Sequence, residues 1–350
     1  FEEQSHSRPQ SNRNVLAPGE KVWCHTRRVR EDPTEAPFDA DATLSLEVLD
    51  DPRRLPDGWD EVVGQMTLPS PFLRRWWIAS VTHNTPAILV VRRGGQLIGG
   101  AAFELDRLGR VGAGIDRVRC AGHGALAPDH LDVVAAPADA PEVTDAVVAW
   151  LRGSGSRIID LDGLAADGSL ALALRPFVTE RTVAPYASLA GGGDAYLAAR
   201  PGTLRSTVSR STKRLTKAGA TIGVVETSGD DPDAQRRARQ ALDDLHRLHD
   251  QRWADESGFL EAWPRFHAAA MAGLASGDVV IAQVVAEDGT VVATELDLRL
   301  GTTVAFYQAG RSTQRQWRGA GSALRADIIG RAAADGATEY DLLRGGEAYF

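Results

Sequence analysis

A glycine-containing segment near the C-terminus has the residues best suited to hold an anionic ligand. It reads Gln316-Trp317-Arg318-Gly319-Ala320-Gly321 and lies between an apolar run ending near Ala309 and a helical pattern. Glycine lets a ligand approach the backbone closely, and N–H groups at a helix N-terminus point outward beside the positive end of the helix dipole. The segment therefore predicts a cradle that fits a pyrophosphate. A tight strand-to-helix turn would require the same glycines, and the letters alone do not separate the two interpretations.

A basic segment, LRSTVSRSTKRLTKAG, is the second feature that could bind phosphate. Its cations are Arg205, Arg210, Lys213, Arg214 and Lys217. The whole chain carries 39 basic and 47 acidic residues, a net charge of −8, which argues against a duplex-DNA partner. The local cluster is interpreted either as a phosphate contact or as a solvated helix face.

Composition and chemistry exclude several classes of protein. A 350-residue chain with 43% hydrophobic and 25% charged residues is long enough for two globular domains. Two cysteines, Cys24 and Cys120, are too few for a disulfide framework or a thiolate metal site. His246 and His249 lack a third metal ligand, and a G-x-S-x-G hydrolase motif is absent. With neither a membrane-length apolar stretch nor a secretory signal, we predict a cytoplasmic protein without a metal.

Periodicity divides the chain into a leader and two similar halves. Residues 1–43 lack a sustained apolar period and predict a flexible leader. Residues 44–198 predict a strand, a helix capped by Asp57, a hairpin around Gly94-Gly95, a helix and a further strand. Residues 199–350 predict a long helix, a three-stranded meander, a helix ending at Gly336 and a last strand. Both halves are thus mixed α/β units.

Several motifs together resemble a known superfamily. Gln316–Gly321 is similar to the Q/R-x-x-G-x-G/A signature with which GNAT acyltransferases hold the pyrophosphate of coenzyme A. From residue 44 to 350 the chain resembles tandem-GNAT proteins of the CelD/BcsL type, relatives of the Fem aminoacyltransferases. The segments that carry this wider resemblance are Ser70-Pro71-Phe72, Pro128–Asp132, the basic segment, Leu248–Trp253 and Asp341–Tyr349.

The resemblance implies an α/β (α+β) fold of two tandem GNAT units, each a mixed, mostly antiparallel sheet flanked by helices. It implies that the C-terminal unit binds acyl-CoA and that the N-terminal unit, which lacks the signature, shapes the acceptor cleft. The donor contacts expected from it are Gln316, Arg318, Gly319, Ala320, Gly321 and Ser322.

Catalytic candidates follow from the needs of acyl transfer. An amine that attacks a thioester requires a base, a polarised carbonyl and a proton source for the thiolate. Glu295 and Asp297 share a face of one predicted strand, and either is a candidate base; Tyr307 and Tyr349 are candidate acids. Solvent-facing carboxylates and a core Tyr307 are the alternatives. The acceptor contacts expected from the closing motif are Asp341, Arg344 and Glu347.

The function that this sequence predicts is acyl transfer from acyl-CoA to an amine or hydroxyl of a small molecule, such as an envelope-glycan or natural-product precursor. The alternative is a Fem-like transfer of an aminoacyl group from aminoacyl-tRNA in cell-wall peptide or peptide-antibiotic assembly. In that case Arg205, Arg210, Lys213 and Arg214 would contact tRNA phosphates. A non-catalytic scaffold that binds no donor is the third possibility.

Overall fold

Two six-stranded sheets organise the chain. The computed structural model describes residues 43–109, 114–153, 157–179, 182–227, 231–253 and 258–344. The predicted leader lies outside these ranges. Nine helices in the described residues flank the sheets: α1 Trp59–Gln65, α2 Arg75–Val81, α3 Ala140–Leu151, α4 Ser169–Ala173, α5 Gly192–Ala198, α6 Gly202–Lys217, α7 Pro232–Trp253, α8 Trp263–Ser276 and α9 Ala320–Ala334.

The first sheet contains the strands of the N-terminal half. Its strands are β1 Leu44–Leu49, β2 Thr85–Arg93, β3 Gln96–Leu108, β4 Ile115–Cys120, β5 Val134–Ala135 and β6 Arg157–Ile159. The order is β1-β2-β3-β4-β6, and β5 pairs with β3. All described pairs are antiparallel except β4 with β6. The predicted β2–β3 hairpin turns at Gly94 and Gly95, both with positive φ, which glycine adopts without strain.

The second sheet repeats this design. Its strands are β7 Tyr186–Ser188, β8 Thr221–Val224, β9 Val279–Val285, β10 Val291–Leu300, β11 Thr303–Arg311 and β12 Glu339–Asp341. The order is β7-β12-β11-β10-β9-β8, and only β11 with β12 is parallel among its described pairs. The predicted fold class, two mixed and mostly antiparallel sheets flanked by helices, is therefore confirmed. Strand β7 joins this sheet although it precedes residue 199, where we predicted the second domain to begin.

The start of α1 differs from the prediction. Gly58, not Asp57, is the N-cap; it adopts φ 84°, and its helix begins without a side-chain cap. The Asp57 side chain is fully solvent-exposed and lies 3.7 Å from Arg75 instead. A glycine in the left-handed region turns the chain into the helix by backbone geometry alone, so the predicted aspartate cap is wrong.

The two halves share one apolar core. Trp76 and Trp77 of α2 pack with Phe266 of α8 and Tyr307 of β11, all buried. At the edge of this contact, Asp278 accepts hydrogen bonds from Arg74 Nε at 2.9 Å and from the Trp76 indole at 2.7 Å. A polar link therefore joins the N-terminal half to the C-terminal half beside the shared core.

Candidate active site

A cleft opens where β11 and β12 separate. β11 pairs with β12 only through residues 303–305, whereas it pairs with β10 along its whole length. Tyr307 is the extra residue of a β-bulge, since Leu296 faces Gln308 and Asp297 faces Phe306. Beyond Ala305 the backbone edge of β11 that faces β12 is left without a ladder partner in the described part of the chain. Residues 306–311 of this stretch line the cavity.

The cleft has a volume of about 970 Å³. Its walls come from α5, α6, α7, β10, β11, the start of α9 and residues 342–344 after β12. The N-terminal half contributes Ala125, Leu126 and Ala127. The cavity is therefore built mainly by the C-terminal half, with one short segment of the N-terminal half at its edge.

The glycine segment forms one end of this cleft. Gly319 is the N-cap of α9 and adopts φ 87°, so the turn requires the left-handed region that glycine favours. Arg318, Gly319, Gly321 and Ser322 line the cleft. The first-turn N–H groups of α9 thus lie at the cavity, as an anion cradle requires.

Two of the predicted donor contacts lie elsewhere. Ala320 is only 1% exposed and packs in the second apolar core. The exposed Gln316 side chain does not line the cleft, and its amide donates to Gln314 Oε1 at 3.1 Å. Their predicted contacts with the donor are therefore not seen as side-chain contacts at this cavity.

The basic helix α6 packs against the glycine turn. Arg214 Nη1 donates to the Arg318 carbonyl at 2.6 Å. A Cβ atom added to Gly319 would lie 2.1 Å from Ser211 Oγ. Close packing, in addition to backbone conformation, therefore excludes a side chain at residue 319.

The cations of α6 divide into two sets. Arg210 and Arg214 line the cleft. Arg205, Lys213 and Lys217 are exposed and do not line it. Only the first set is placed to meet a ligand that stays within the cavity, whereas a longer polyanion would meet both sets.

The cleft is strongly cationic in an acidic protein. Its lining includes seven arginines: Arg210, Arg214, Arg252, Arg311, Arg318, Arg325 and Arg344. Among the described lining residues, Glu295 is the only carboxylate, and Arg325 pairs with it. Because a narrow cavity lined by one sign of charge concentrates counter-ions, the arrangement favours an anionic ligand.

Glu295 belongs to a buried polar network beneath the cleft. Arg325 donates to both of its carboxylate oxygens, with Nε–Oε1 at 3.1 Å and Nη2–Oε2 at 3.0 Å. The Tyr340 hydroxyl lies 2.8 Å from Glu295 Oε1 and 2.9 Å from Asp297 Oδ1. Both carboxylates therefore reach one hydroxyl, as expected of side chains on the same strand face. Arg325 also stacks on the Phe306 ring at 3.7 Å.

The two predicted candidate bases differ in their position relative to the cleft. Asp297 is 1% exposed and does not line the cleft; burial and the neighbouring Glu295 charge raise its pKa well above the usual value. Glu295 lines the cleft and is paired with the Arg325 guanidinium. Of the two, Glu295 is the one that a ligand in the cleft would meet.

Tyr307 lines the cleft at the bulge of β11. Its hydroxyl donates to the Leu126 carbonyl at 2.7 Å, and burial raises its pKa well above that of a free phenol. Its ring packs against Phe72, Trp77 and Phe266. Tyr307 therefore combines the core role and the cleft position that the sequence analysis treated as alternatives. Tyr349 and Glu347 lie outside the described residues.

The predicted acceptor residues make contacts between the two halves. Asp341 Oδ2 lies 2.7 Å from His130 Nε2, and Asp341 Oδ1 accepts from the Leu343 amide at 2.7 Å. Arg344 donates from its side chain to Asp162 and to the Pro128 carbonyl. Arg344 also lines the cleft. The sequence analysis assigned these groups to the acceptor from their place in the closing motif. It could not show the partners found here, which are distant along the chain.

Three segments singled out in the sequence meet at this point. Asp129 Oδ2 accepts from the Arg344 amide at 2.6 Å, and the Asp129 carbonyl accepts from Ser70 Oγ at 2.9 Å. The Ser70-Pro71-Phe72 segment, residues 128–132 and the closing motif are therefore one connected structure.

Two features of the histidines were missed from sequence. His249, considered there as a metal ligand, contacts Phe259 and also lines the cleft, where burial lowers its pKa. His83, Glu104 and His123 form a group that could ligate a metal. However, Arg265 Nη1 lies 2.7 Å from His83 Nδ1, and a metal cation there would face a guanidinium.

Comparison with known proteins agrees with this geometry. Residues 202–350 match the acetyltransferase (GNAT) domain family. The crystal structure of FemX shares the fold, with 12% identity, coverage of 83% of this chain and 88% of that one, and a TM-score of 0.56. The structure of L-PGS from Bacillus licheniformis is 13% identical, with coverage of 86% of this chain and 81% of that one and a TM-score of 0.50. A conserved protein of unknown function from Bacteroides thetaiotaomicron is 12% identical, with coverage of 87% of this chain and 92% of that one and a TM-score of 0.51.

Residues 202–350 are thus similar to GNAT acetyltransferase domains, which supports an acyltransferase, and the chain shares its fold with FemX. No curated protein matches the sequence significantly. In the part of the chain that the structure describes, no helix is both long and apolar enough to cross a membrane.

Proposed function

We propose that the protein transfers an acyl group from acyl-CoA to an amine or hydroxyl of a small molecule, such as an envelope-glycan or natural-product precursor. In this proposal it is a cytoplasmic tandem-GNAT enzyme of the CelD/BcsL type. The observation that carries the proposal is that the first turn of α9, the arginines of α6 and the part of β11 beyond its pairing with β12 line one cavity. Pyrophosphate would lie at the arginines, and the pantetheine amides would pair with β11.

The chemistry assigned to the cleft uses few side chains. Glu295, held in place by its hydrogen bonds with Arg325, would accept the proton of the attacking group, directly or through one water. Backbone N–H groups of β11 would polarise the thioester carbonyl. Tyr307 is the candidate donor to the thiolate; to act, its hydroxyl would exchange its bond to the Leu126 carbonyl.

The alternative donor, aminoacyl-tRNA, is favoured by a different observation. The cationic surface of α6 continues outside the cleft through Arg205 and Lys213, both exposed. A polynucleotide whose 3′ end entered the cavity would contact these cations, whereas coenzyme A, confined to the cleft, would not.

Matched variants of α6 separate the two donors. Arg210→Gln removes a cation inside the cleft, and the double change Arg205→Gln/Lys213→Gln removes two outside it. If acyl-CoA is the donor, calorimetry should show acetyl-CoA binding that Arg210→Gln weakens and the double variant leaves unchanged. The proposal would be overturned if acetyl-CoA did not bind while total tRNA bound in a salt-sensitive manner that the double variant weakened.

A further inference from the structure

The described chain has three non-glycine residues with left-handed backbone: Ala127 at φ 43°, His130 at φ 51° and Leu343 at φ 56°. All three belong to the contact between residues 127–130 and the end of β12. Such conformations are strained and persist only where surrounding contacts enforce them, often at functional sites. Their concentration at one contact points to a role beyond connecting two halves.

Two buried carboxylates, Asp129 and Asp341, hydrogen-bond to two of these residues, His130 and Leu343. Asp129 accepts from the His130 amide at 2.9 Å through Oδ1 and from the Arg344 amide at 2.6 Å through Oδ2. Asp341 accepts from the Leu343 amide and bonds the His130 ring, both at 2.7 Å. We call this set of four hydrogen bonds the latch. Each carboxylate therefore ties one half of the protein to the other.

The latch holds both walls of one end of the cleft. Leu126 and Ala127 line the cavity on the N-terminal side, and Leu342, Leu343 and Arg344 line it on the other. The Tyr307 hydroxyl, which donates to the Leu126 carbonyl, connects the same wall to the bulge of β11. The conformation at this end therefore depends on groups that do not themselves line the cavity.

We propose that His130 is a positioning residue: as a cation paired with Asp341 it holds the Leu342–Arg344 wall, so that occupancy of the cleft depends on its protonation. This proposal rests on the proposed function only for the identity of the ligand. No covalent step is involved, because the histidine acts through the wall and not on the acyl group.

The charges around His130 support the sign of this dependence. Burial of the ring favours the neutral form, but the hydrogen bond and charge of Asp341, with Asp129 and Glu339 nearby, outweigh it and raise the pKa of His130. Burial, and after it the neighbouring Asp341 charge, raise the pKa of Glu339. Arg344 is the nearby cation, and its side chain pairs with Asp162. The charged pair is thus complete below the ordinary histidine pKa and is lost as pH rises through the raised value.

Hydrogen–deuterium exchange tests the latch without any ligand. Protection of the peptide that contains residues 341–344, corrected for intrinsic rates, should fall as pH rises in the wild type and should be low at every pH in His130→Gln. His267→Gln, which changes a histidine on α8 beside Trp263, is the matched control and should behave as the wild type. Protection that is unchanged in both His130→Gln and Asp341→Asn would overturn the proposal.

Acetyl-CoA binding tests the connection to the cleft. The dissociation constant should rise several-fold with pH in the wild type and in His267→Gln, whereas His130→Gln should bind weakly with little additional pH dependence. Equal affinities and equal pH profiles for His130→Gln and His267→Gln would refute the positioning role. If the wild type did not bind acetyl-CoA at any pH, the proposed function would fail, and the exchange experiment would still decide whether the latch exists.

Discussion

At the scale of single residues, Gly319 is constrained both by its left-handed backbone and by its close packing against Ser211, and the two constraints can be tested separately. Gly319→Ala places a left-handed alanine against Ser211 Oγ, so we expect a loss of acetyl-CoA affinity and a stability loss that exceeds the roughly 1–2 kcal/mol of backbone strain. Gly336→Ala is the control, since its φ is 91° and its Cβ would meet no atom within 4 Å. Urea unfolding and calorimetry measure both effects. Equal effects of the two variants would contradict the prediction, and intact activity in Gly319→Ala would exclude the cradle.

Arg325 carries a buried ion pair, and its removal should be costly. Arg325→Met leaves the Glu295 carboxylate, 1% exposed, without its guanidinium, and a broken buried pair costs about 3–5 kcal/mol. Arg331→Met breaks the surface pair with Asp327 on the same helix, where about 0.5 kcal/mol or less is expected because the arginine is half exposed. Denaturant midpoints give the comparison. A similar loss in both variants would show that Glu295 is accessible to water.

Asp297 should make the free energy of unfolding depend more strongly on pH. Because its pKa is raised in the folded state, the folded protein binds a proton that the unfolded chain releases above about pH 4, and stability falls as pH rises toward the folded pKa. Asp297→Asn keeps the shape and removes the titration, so its stability gain over the wild type should grow with pH. Chemical unfolding at acid and neutral pH measures this, with Asp243→Asn on the exposed face of α7 as the control. A constant difference would mean that Asp297 is ionised.

At the scale of elements, Gly310 sets how closely α7 approaches β11. An added Cβ would lie 2.7 Å from Leu248 Cβ and 2.9 Å from the His249 backbone nitrogen, which cannot rotate away. Gly310→Ala should therefore separate helix and strand, with a stability cost of roughly 1–3 kcal/mol typical of overpacking. Gly223→Ala on β8 meets no atom within 4 Å and is the matched control. Thermal unfolding would contradict this interpretation if both variants matched the wild type.

Secondary-structure elements could be predicted from the sequence, whereas contacts between distant elements could not. Strands and helices followed from apolar periodicity, and the hairpin followed from Gly94 and Gly95, because these signals are local. The hydrogen-bond partners of Glu295, Asp341 and Arg344 could not be predicted from the sequence, because each partner lies on a distant element. A strand period places Glu295 and Asp297 on one face, but it cannot show that Arg325 and Tyr340 face them. The glycine turn was found because its requirement, a positive φ before a helix, is local.

At the scale of the whole molecule, the Arg74–Asp278–Trp76 link should make the halves unfold together. Asp278→Ala removes three hydrogen bonds, two of them from a guanidinium, and roughly 2–3 kcal/mol is expected from such charged bonds. Asp335→Ala breaks the exposed pair with Arg299 and is the control. Scanning calorimetry should show one transition in the wild type and the control, and a broadened or divided one in Asp278→Ala. A single sharp transition in every variant would show that the apolar core alone couples the halves.

The placement of β7 has a consequence for how the protein is made. β7 pairs with β12, the last described strand, while the first sheet is complete once β6 has been synthesised. During translation at about 5–20 residues per second, β7 leaves the ribosome on the order of ten seconds before its partner. Over that interval its edge, next to the exposed Val183 and Tyr186, is open to pairing with other nascent chains. Slow translation between these strands should therefore favour aggregation.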